Sequence, residues 1–344
     1  MSAYPLLEAE RLHVTVRKDG AALTVLDDVS FAVGAGRCLG VVGESGCGKS
    51  LTLRAVMGLL PPGAERTGGE VRLSPRDGAA PVPVPAGGAA GAGLAMVFQD
   101  SHASLDPTMR VGTFLTGVIR RTGPARSAIT RAAARRRAVE LLEAVGVPDP
   151  ELRFRAYPHE LSGGMRQRVA IALALATEPR VLLCDEPTTA LDVTLQAEIL
   201  RLLDAARAER GLGLVFVSHD IGVVRQVADV VAVMYAGQVI EAGPVEEVLA
   251  RPRHPYTRAL LEAAPALGGP RGRFRPIPGT PPSPADYPAG CRFGPRCARH
   301  DTACSVTVGG LDARLPGHRS SCVHDPAGPA DGAPRGGAAD VEVR

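Results

Sequence analysis

The sequence predicts an α/β protein, a parallel core sheet covered by helices. Three observations lead there. Short apolar runs alternate with longer helical patterns from residue 181 onward: "VLLCDEP", "VTLQAEILRLLDAARAER", "GLVFVSHD", "IGVVRQVADV" and "VVAVMYAG". An earlier apolar run, "CLGVVG", opens through a glycine-rich turn into a further helical pattern. The chain is 45% hydrophobic yet only 3% aromatic with no Trp, so its core is built from Val, Leu, Ile and Ala.

From the N-terminus, residues 11–42 alternate polar and apolar, as half-buried strands do, and close on "CLGVVG". "KSLTLRAVMGLL" follows as a helix, which Pro61 and Pro62 are expected to end. Residues 74–93, rich in Pro, Gly and Ala, read as a loose surface insertion. Residues 111–146 read as helical, with "ITRAAARRRAVELLEAVG" the clearest segment and Gly146 its stop. The arginines of that segment read as a solvated helix face rather than a phosphate site. "LSGGMRQR" then puts Ser162, Gly163 and Gly164 ahead of "VAIALALA", a serine-capped helix start with bare amides suited to an anion. Beyond about residue 250 the composition shifts to Pro, Arg and Gly. This gives one large domain over 1–250, an extension over 251–325 and a disordered tail over 326–344.

The totals narrow the function. The 344 residues carry 39 Lys and Arg against 36 Asp and Glu, a net charge of +3. That is not the excess of a general nucleic-acid binder, and no nucleic-acid partner is expected. The opening "MSAYPLLEAERLHV" has no basic start followed by an apolar stretch, and no segment reaches the ~18 apolar residues of a membrane span. A cytosolic chain, or one held at a membrane by other subunits, is expected. Of seven cysteines, Cys38, Cys47 and Cys184 are scattered, while Cys291, Cys297, Cys304 and Cys322 crowd the extension. In a cytosolic setting such a cluster suits a metal better than disulfides.

"GESGCGKS" matches the phosphate-loop pattern G-x-x-x-x-G-K-S between an expected strand and an expected helix. Gly43, Gly46 and Gly48 let amides turn around the phosphates. Glu44, Ser45 and Cys47 fill the loop, Lys49 adds a point charge, Ser50 offers a hydroxyl to Mg²⁺, and Leu51 opens the helix. Asp185 ends an apolar strand where it can hold the Mg²⁺ shell, and Glu186 beside it can orient and polarise an attacking water. His219, after "LVFVS", is placed to reach the γ-phosphate. Gln99, after "AMVF", can reach both Mg²⁺ and water.

Phosphate loop, Gln99, "LSGGM", "VLLCDEP", "ALD" at 190–192 and His219 follow the order found in ABC-type ATPases, which residues 6 to about 250 resemble. The resemblance implies a parallel core sheet with helices, an antiparallel β subdomain and a helical subdomain at about 100–165. It also implies ATP and Mg²⁺ as ligands, and a head-to-tail pair in which Ser162, Gly163 and Gly164 close over the partner's nucleotide, with Asp192 of "ALD" in the nucleotide site. The family's adenine-stacking aromatic falls, by position, on Val16. "RHPYTRALLEAAP", "GCRFGPRC" and "SLDP" at 104–107 resemble the ATPases of oligopeptide and dipeptide importers, a group with nickel-importing relatives. That implies a second ATPase subunit, two permeases and, indirectly, an extracytoplasmic solute-binding protein, with this chain peripheral on the cytoplasmic membrane face. Four thiolates suit tetrahedral zinc or a four-iron cluster alike. Some members of the group carry a [4Fe-4S] cluster at the matching cysteines, and the resemblance implies one at Cys291, Cys297, Cys304 and Cys322, with Zn²⁺ as the alternative. Nickel or another solute as cargo, and a soluble ABC ATPase outside transport, are the other readings.

Overall fold

The computed structural model describes residues 5–18, 20–75, 79–84, 93–100, 104–122, 129–189, 191–264, 276–305 and 310–325. The expected disordered tail, Ala190 and most of the 74–93 insertion lie outside the described residues.

The chain begins with two long strands, β1 (Leu7–Lys18) and β2 (Ala21–Val33). With β4 (Ala64–Leu73) and the short β5 (Val82–Pro83) they form an antiparallel sheet in the order β2-β1-β4-β5. The insertion is thus not wholly loose. Val82 and Pro83 pair with Leu73 and Arg72 at the sheet edge, where a residue without an N–H is tolerated.

The second sheet has seven strands. Five are parallel: β3 (Cys38–Val42), β6 (Leu94–Val97), β7 (Val181–Asp185), β8 (Gly213–Ser218) and β9 (Val230–Tyr235). Antiparallel β10 (Gln238–Pro244) and the two-residue β11 (Arg319–Ser320) complete the order β11-β10-β9-β3-β8-β7-β6. The extension is therefore sewn into the main sheet: Glu241 and Ala242 pair with Ser320 and Arg319.

Parallel strands covered on both faces read as continuous apolar runs, and here every residue of β3, β7 and β8 is buried. Successive side chains alternate between the faces. Leu182, Cys184, Leu214 and Phe216 enter one cluster with the helices, while Leu183, Val215 and Val217 enter another with the antiparallel sheet. Truncating a side chain as buried as Phe216 typically costs about 3–5 kcal/mol.

Helix α1 (Lys49–Met57) follows the phosphate loop. It ends at Gly58, not at Pro61 and Pro62: Gly58 takes a left-handed conformation, φ 68°, and its amide returns to the last-turn carbonyls. The expected stretch 111–146 is two helices, α2 (Val111–Thr122) and α3 (Arg131–Ala144), packed with α4 (Pro150–Arg155). Thr130 caps α3, and Gly146, φ 71°, stands at its stop as expected. Arg131, Arg135 and Arg136 are exposed, and Arg135 pairs with Glu151, as a solvated face should.

Helix α5 (Gly163–Leu175) precedes β7, and α6 (Val193–Arg210), α7 (Ile221–Val227) and α8 (Val245–Ala250) alternate with the later strands. Helix α9 (Pro255–Ala263) buries Tyr256, Thr257 and Leu260, so periodic structure continues past residue 250. Among the described residues no helix is long and apolar enough to cross a membrane.

Candidate functional site

The carboxyl ends of β3, β6, β7 and β8 face one open cavity of about 580 Å³. Ligands of open α/β sheets collect at this end. The phosphate loop supplies Ser45, Gly46, Gly48, Lys49, Ser50 and Leu51 to its wall, and Gln99, Glu186, Thr189 and His219 close the other side. Residues more than a hundred positions apart thus meet where the sequence places them. Val16 is half-buried in β1 opposite Leu23 and Ala64 and does not line the cavity; Val25 of β2 does.

The loop's shape needs its glycines. A Cβ on Gly43 would lie 2.2 Å from the Met234 carbonyl oxygen, and Gly48 holds φ 105° at the start of α1. The amides of a helix start therefore face the cavity with their partial positive charge. The Lys49 ammonium donates to the Gly43 and Glu44 carbonyls at 2.8 and 3.1 Å, staying within the loop. Cys47 is buried against it, and burial pushes its thiol above the ordinary range, which makes it an inert small residue.

At the cavity wall the Ser50 hydroxyl donates to Asp185 Oδ1 at 2.7 Å, and Asp185 itself lies behind the lining residues. Asp185 is 2% exposed, and burial raises its pKa against the pull of the Ser50 hydrogen bond. A buried carboxyl beside a hydroxyl, with hard oxygen donors only, fits Mg²⁺.

Glu186 follows directly on β7 with a left-handed backbone, φ 47°, an unusual state for a residue with a side chain. Its amide returns to the Val217 carbonyl, and its Oε2 gathers three partners: Thr189 Oγ1 at 2.9 Å, His219 Nδ1 at 3.0 Å and Gln99 Nε2 at 3.4 Å. A carboxylate only accepts, so Nδ1 carries the imidazole proton in this pair. The strained turn and its three donors hold one acidic oxygen at the cavity wall. Thr189 was missed by sequence reasoning. Its cue is the "TT" one turn beyond Glu186, which only the fold makes meaningful.

Ser162 caps α5, its hydroxyl accepting from the Met165 amide, and both Ser162 and Gly163 are exposed. Neither they nor Gly164 line the cavity. Gly164 is buried against α6, where a Cβ would meet Leu195 Cδ2 at 2.2 Å. Asp192 caps α6 by accepting from the Leu195 amide and is likewise absent from the cavity wall.

The four clustered cysteines converge. Cys291, Cys297, Cys304 and Cys322 line one cavity of about 20 Å³ together with His254 and His324, and all four are free thiols. Burial raises the Cys291 and Cys322 thiols, and the neighbouring cysteines add to it. Raised in this way the two thiols stay protonated, and among the described residues the group whose donor atoms all lie within 4.8 Å of one another is Asp301, Cys304 and His324, so Cys291, Cys297 and Cys322 line the same cavity without joining that set. His324 Nε2 lies 3.6 Å from Cys304 Sγ and 3.1 Å from Asp301 Oδ1, a nitrogen and an oxygen donor that spacing did not suggest.

Comparison with known proteins agrees with this geometry. Residues 26–189 match the ABC transporter family, and residues 240–304 match the oligopeptide/dipeptide transporter C-terminal region. The dipeptide transport ATP-binding protein DppD of Bacillus subtilis is 41% identical over 318 residues, 92% of this chain and 94% of that protein. The oligopeptide transport ATP-binding protein OppD of Mycobacterium bovis is 44% identical over 93% of this chain, which spans only 52% of that longer protein. Among solved structures, the ADP- and phosphate-bound dimer of the ATP-binding cassette MJ0796 has a TM-score of 0.59 at 26% identity, covering 70% of this chain and 98% of its own. The CbiO1 subunit of the Clostridium perfringens transporter complex cbiONQ has a TM-score of 0.58 at 27% identity, covering 72% of this chain and 91% of its own.

Proposed function

Since the chain belongs to the ABC transporter family, we propose that it is the ATP-hydrolysing subunit of an importer for oligopeptides or dipeptides. The observation that carries this reading is that Ser50, bonded to Asp185, lines one phosphate-loop cavity together with the hydrogen-bonded Glu186–His219–Thr189 group. It is joined to an extension matching the peptide-transporter C-terminal region.

The chemistry follows from the residues. Loop amides and Lys49 bind the β- and γ-phosphates as a positive cradle. Ser50 and Asp185, with Gln99 nearby, would hold Mg²⁺, which supplies charge neutralisation on the phosphate oxygens. Glu186 orients a water for in-line attack on the γ-phosphorus and accepts its proton, and the bond to the β–γ bridging oxygen breaks to give ADP and phosphate. Thr189 and His219 fix the carboxylate so that no reorganisation is needed when the water arrives.

Ser162, Gly163 and Gly164 lie outside the cavity of their own chain and complete that of a second ATPase subunit in a head-to-tail pair, with Asp192 at the same interface. The dimeric MJ0796 structures support this arrangement. ATP holds the pair closed and hydrolysis releases it. Residues 1–250 form the ATPase domain, with its helical part at about 100–165 turned to two permeases at the cytoplasmic membrane face. An extracytoplasmic solute-binding protein feeds them. Residues 251–325 form the extension, whose four cysteines hold a [4Fe-4S] cluster, or Zn²⁺, as a structural staple.

The test is affinity purification of the tagged chain from gently solubilised native membranes, with copurifying proteins identified by mass spectrometry. Two multi-spanning permeases and a second ATPase are expected. Ribosomal or DNA-bound proteins without a permease would overturn the transport reading.

A further inference from the structure

The cysteine-bearing extension reaches the phosphate loop through one side chain. Arg296, next to Cys297, is 4% exposed at its side chain and spends every donor it has. Nη1 donates to Glu44 Oε2 at 2.7 Å and to the Tyr235 hydroxyl at 3.3 Å. Nη2 donates to Glu44 Oε1 at 3.1 Å and to the Ile277 carbonyl at 3.3 Å, and Nε to the Pro278 carbonyl at 2.8 Å. A guanidinium has five N–H groups, so the fork cannot turn without breaking a bond.

Its anchor on the other side is equally fixed. The segment from Cys291 to Cys297 is wound tightly: the Gly294 amide returns to Cys291, Arg296 to Phe293, and Cys297 to Gly294. Phe293 lines the cysteine cavity and packs edge-on against Tyr235 and Tyr256, with ring centroids 5.3 and 5.4 Å away. Tyr256 in turn accepts from the Glu44 amide at 2.8 Å. Glu44 is thus gripped by side chain and backbone alike, both from beyond residue 250, while its own carbonyl accepts from the Lys49 ammonium.

We propose that Arg296 is a positioning residue for the nucleotide site: held in the cysteine loop, it fixes Glu44 and so sets the phosphate loop and Lys49 for phosphate. The reason to read the contact this way, rather than as stabilisation alone, is its place. A bidentate arginine–carboxylate pair has defined geometry as well as energy, and this one ends on a loop residue five positions from the phosphate-binding lysine. Whatever orders the four cysteines then acts on ATP affinity, and ATP acts back on that order, because coupling between sites is reciprocal. Lys at position 296 would keep the charge and lose the fork, so Arg296→Lys is not a mild change here.

The proposal rests on the phosphate loop holding ATP, and its test separates the two. ATP with Mg²⁺ is titrated calorimetrically into the full chain and into Arg296→Gln, Glu44→Gln, the double variant and Arg314→Gln. The last removes a half-buried arginine that ties the same extension to Glu10 of β1, away from the loop. Each of the first two variants is expected to raise the Kd for ATP by about 5–150-fold, the usual span of coupling between sites. The double variant should lose little more than one single, since both remove the same link. Arg314→Gln should stay within about 3-fold of wild type, as a site outside the network should. Glu44→Gln cuts the link from the loop side and serves if Arg296→Gln does not fold. Wild-type affinity in the Arg296 or Glu44 variants, or an equal loss in Arg314→Gln, would overturn the proposal. No ATP binding by the wild type would instead overturn the nucleotide reading beneath it.

Discussion

Glu186→Gln is the sharpest perturbation of the proposed chemistry, because the structure separates what it keeps from what it removes. Glutamine has the same shape, and its amide oxygen can accept from Thr189 Oγ1 and Gln99 Nε2 as Glu186 Oε2 does. The side chain should therefore stay in place, along with the left-handed turn at φ 47°. Lys49, Ser50 and the loop amides are untouched, so ATP affinity should change by no more than a few-fold. What disappears is the capacity to accept a proton from water. Loss of a positioned general base typically slows the step about 10²–10⁴-fold. At 1.36 kcal/mol per tenfold, that adds about 3–5 kcal/mol to the barrier. The assay is single-turnover hydrolysis of radiolabelled ATP, run beside size-exclusion chromatography in ATP and Mg²⁺. A slow variant that elutes as a stable pair is expected, since ATP would hold the closed state without being consumed. Turnover at the wild-type rate would refute the assignment of Glu186.

Three further predictions test other parts of the molecule. Gly164→Ala puts a Cβ 2.2 Å from Leu195 Cδ2 and 3.2 Å from its Cγ, so the leucine must leave its rotamer and repack between α5 and α6. Destabilisation of about 1–3 kcal/mol is expected in denaturant melts, and a wild-type midpoint would show that α5 and α6 pack differently. His254 is fully buried, and burial lowers its pKa from the usual 6.5 to about 4. Between those values the unfolded chain binds a proton that the fold refuses, so unfolding free energy rises with pH there. About 3 kcal/mol of stability should be lost on acidification through that window. Glu241, whose pKa is held below its ordinary value despite burial by His318 and the backbone amides, loses its contribution only at lower pH, below 4.5. His254→Asn keeps the cap on α9 and should flatten the 6.5-to-4 limb; an unchanged limb would assign it elsewhere. Finally, elemental analysis of protein purified without oxygen should find iron and sulfide, or zinc, in the wild type and none in Cys291→Ser/Cys297→Ser. Equal metal in both would exclude these thiols as ligands.

Much of this was legible in the sequence, for a physical reason. The buried strands are uninterrupted apolar runs because both faces of the sheet are covered, and each delivers its next polar residue to the same edge. Asp185 ends β7, Glu186 and His219 follow directly on β7 and β8, and Gln99 lies two residues past β6, so their gathering at one end of the sheet follows from strand ends alone. Signals that depend on φ were harder to weigh. Gly58 and the prolines after it both mark a helix end, but the left-handed cap acts first, and the prolines only follow a turn already made. Weak pairing was invisible: β5 and β11 are two residues each, too short for any periodicity, and exist because neighbouring strands offer open edges.

The contacts least legible are those in which the extension enters the ATPase. Arg296, Tyr256 and Phe293 carry no motif that names a partner, and Glu44 occupies a variable position of the loop pattern, where its type is unconstrained by phosphate chemistry. Pattern reasoning assigns meaning to the glycines, lysine and serine that touch phosphate and leaves the x positions blank. Yet a loop that must hold amides in a fixed cradle is only as rigid as the residues behind it, and preorganisation of that kind is where electrostatic catalysis draws its strength. In this chain the residue behind the cradle is Glu44, and it faces a fully engaged arginine that the cysteine loop holds in place. The extension is thereby part of the nucleotide site's architecture and not an appendage beside it. The turn from Cys291 to Cys297, wound by its own backbone hydrogen bonds, is what presents Arg296 to Glu44.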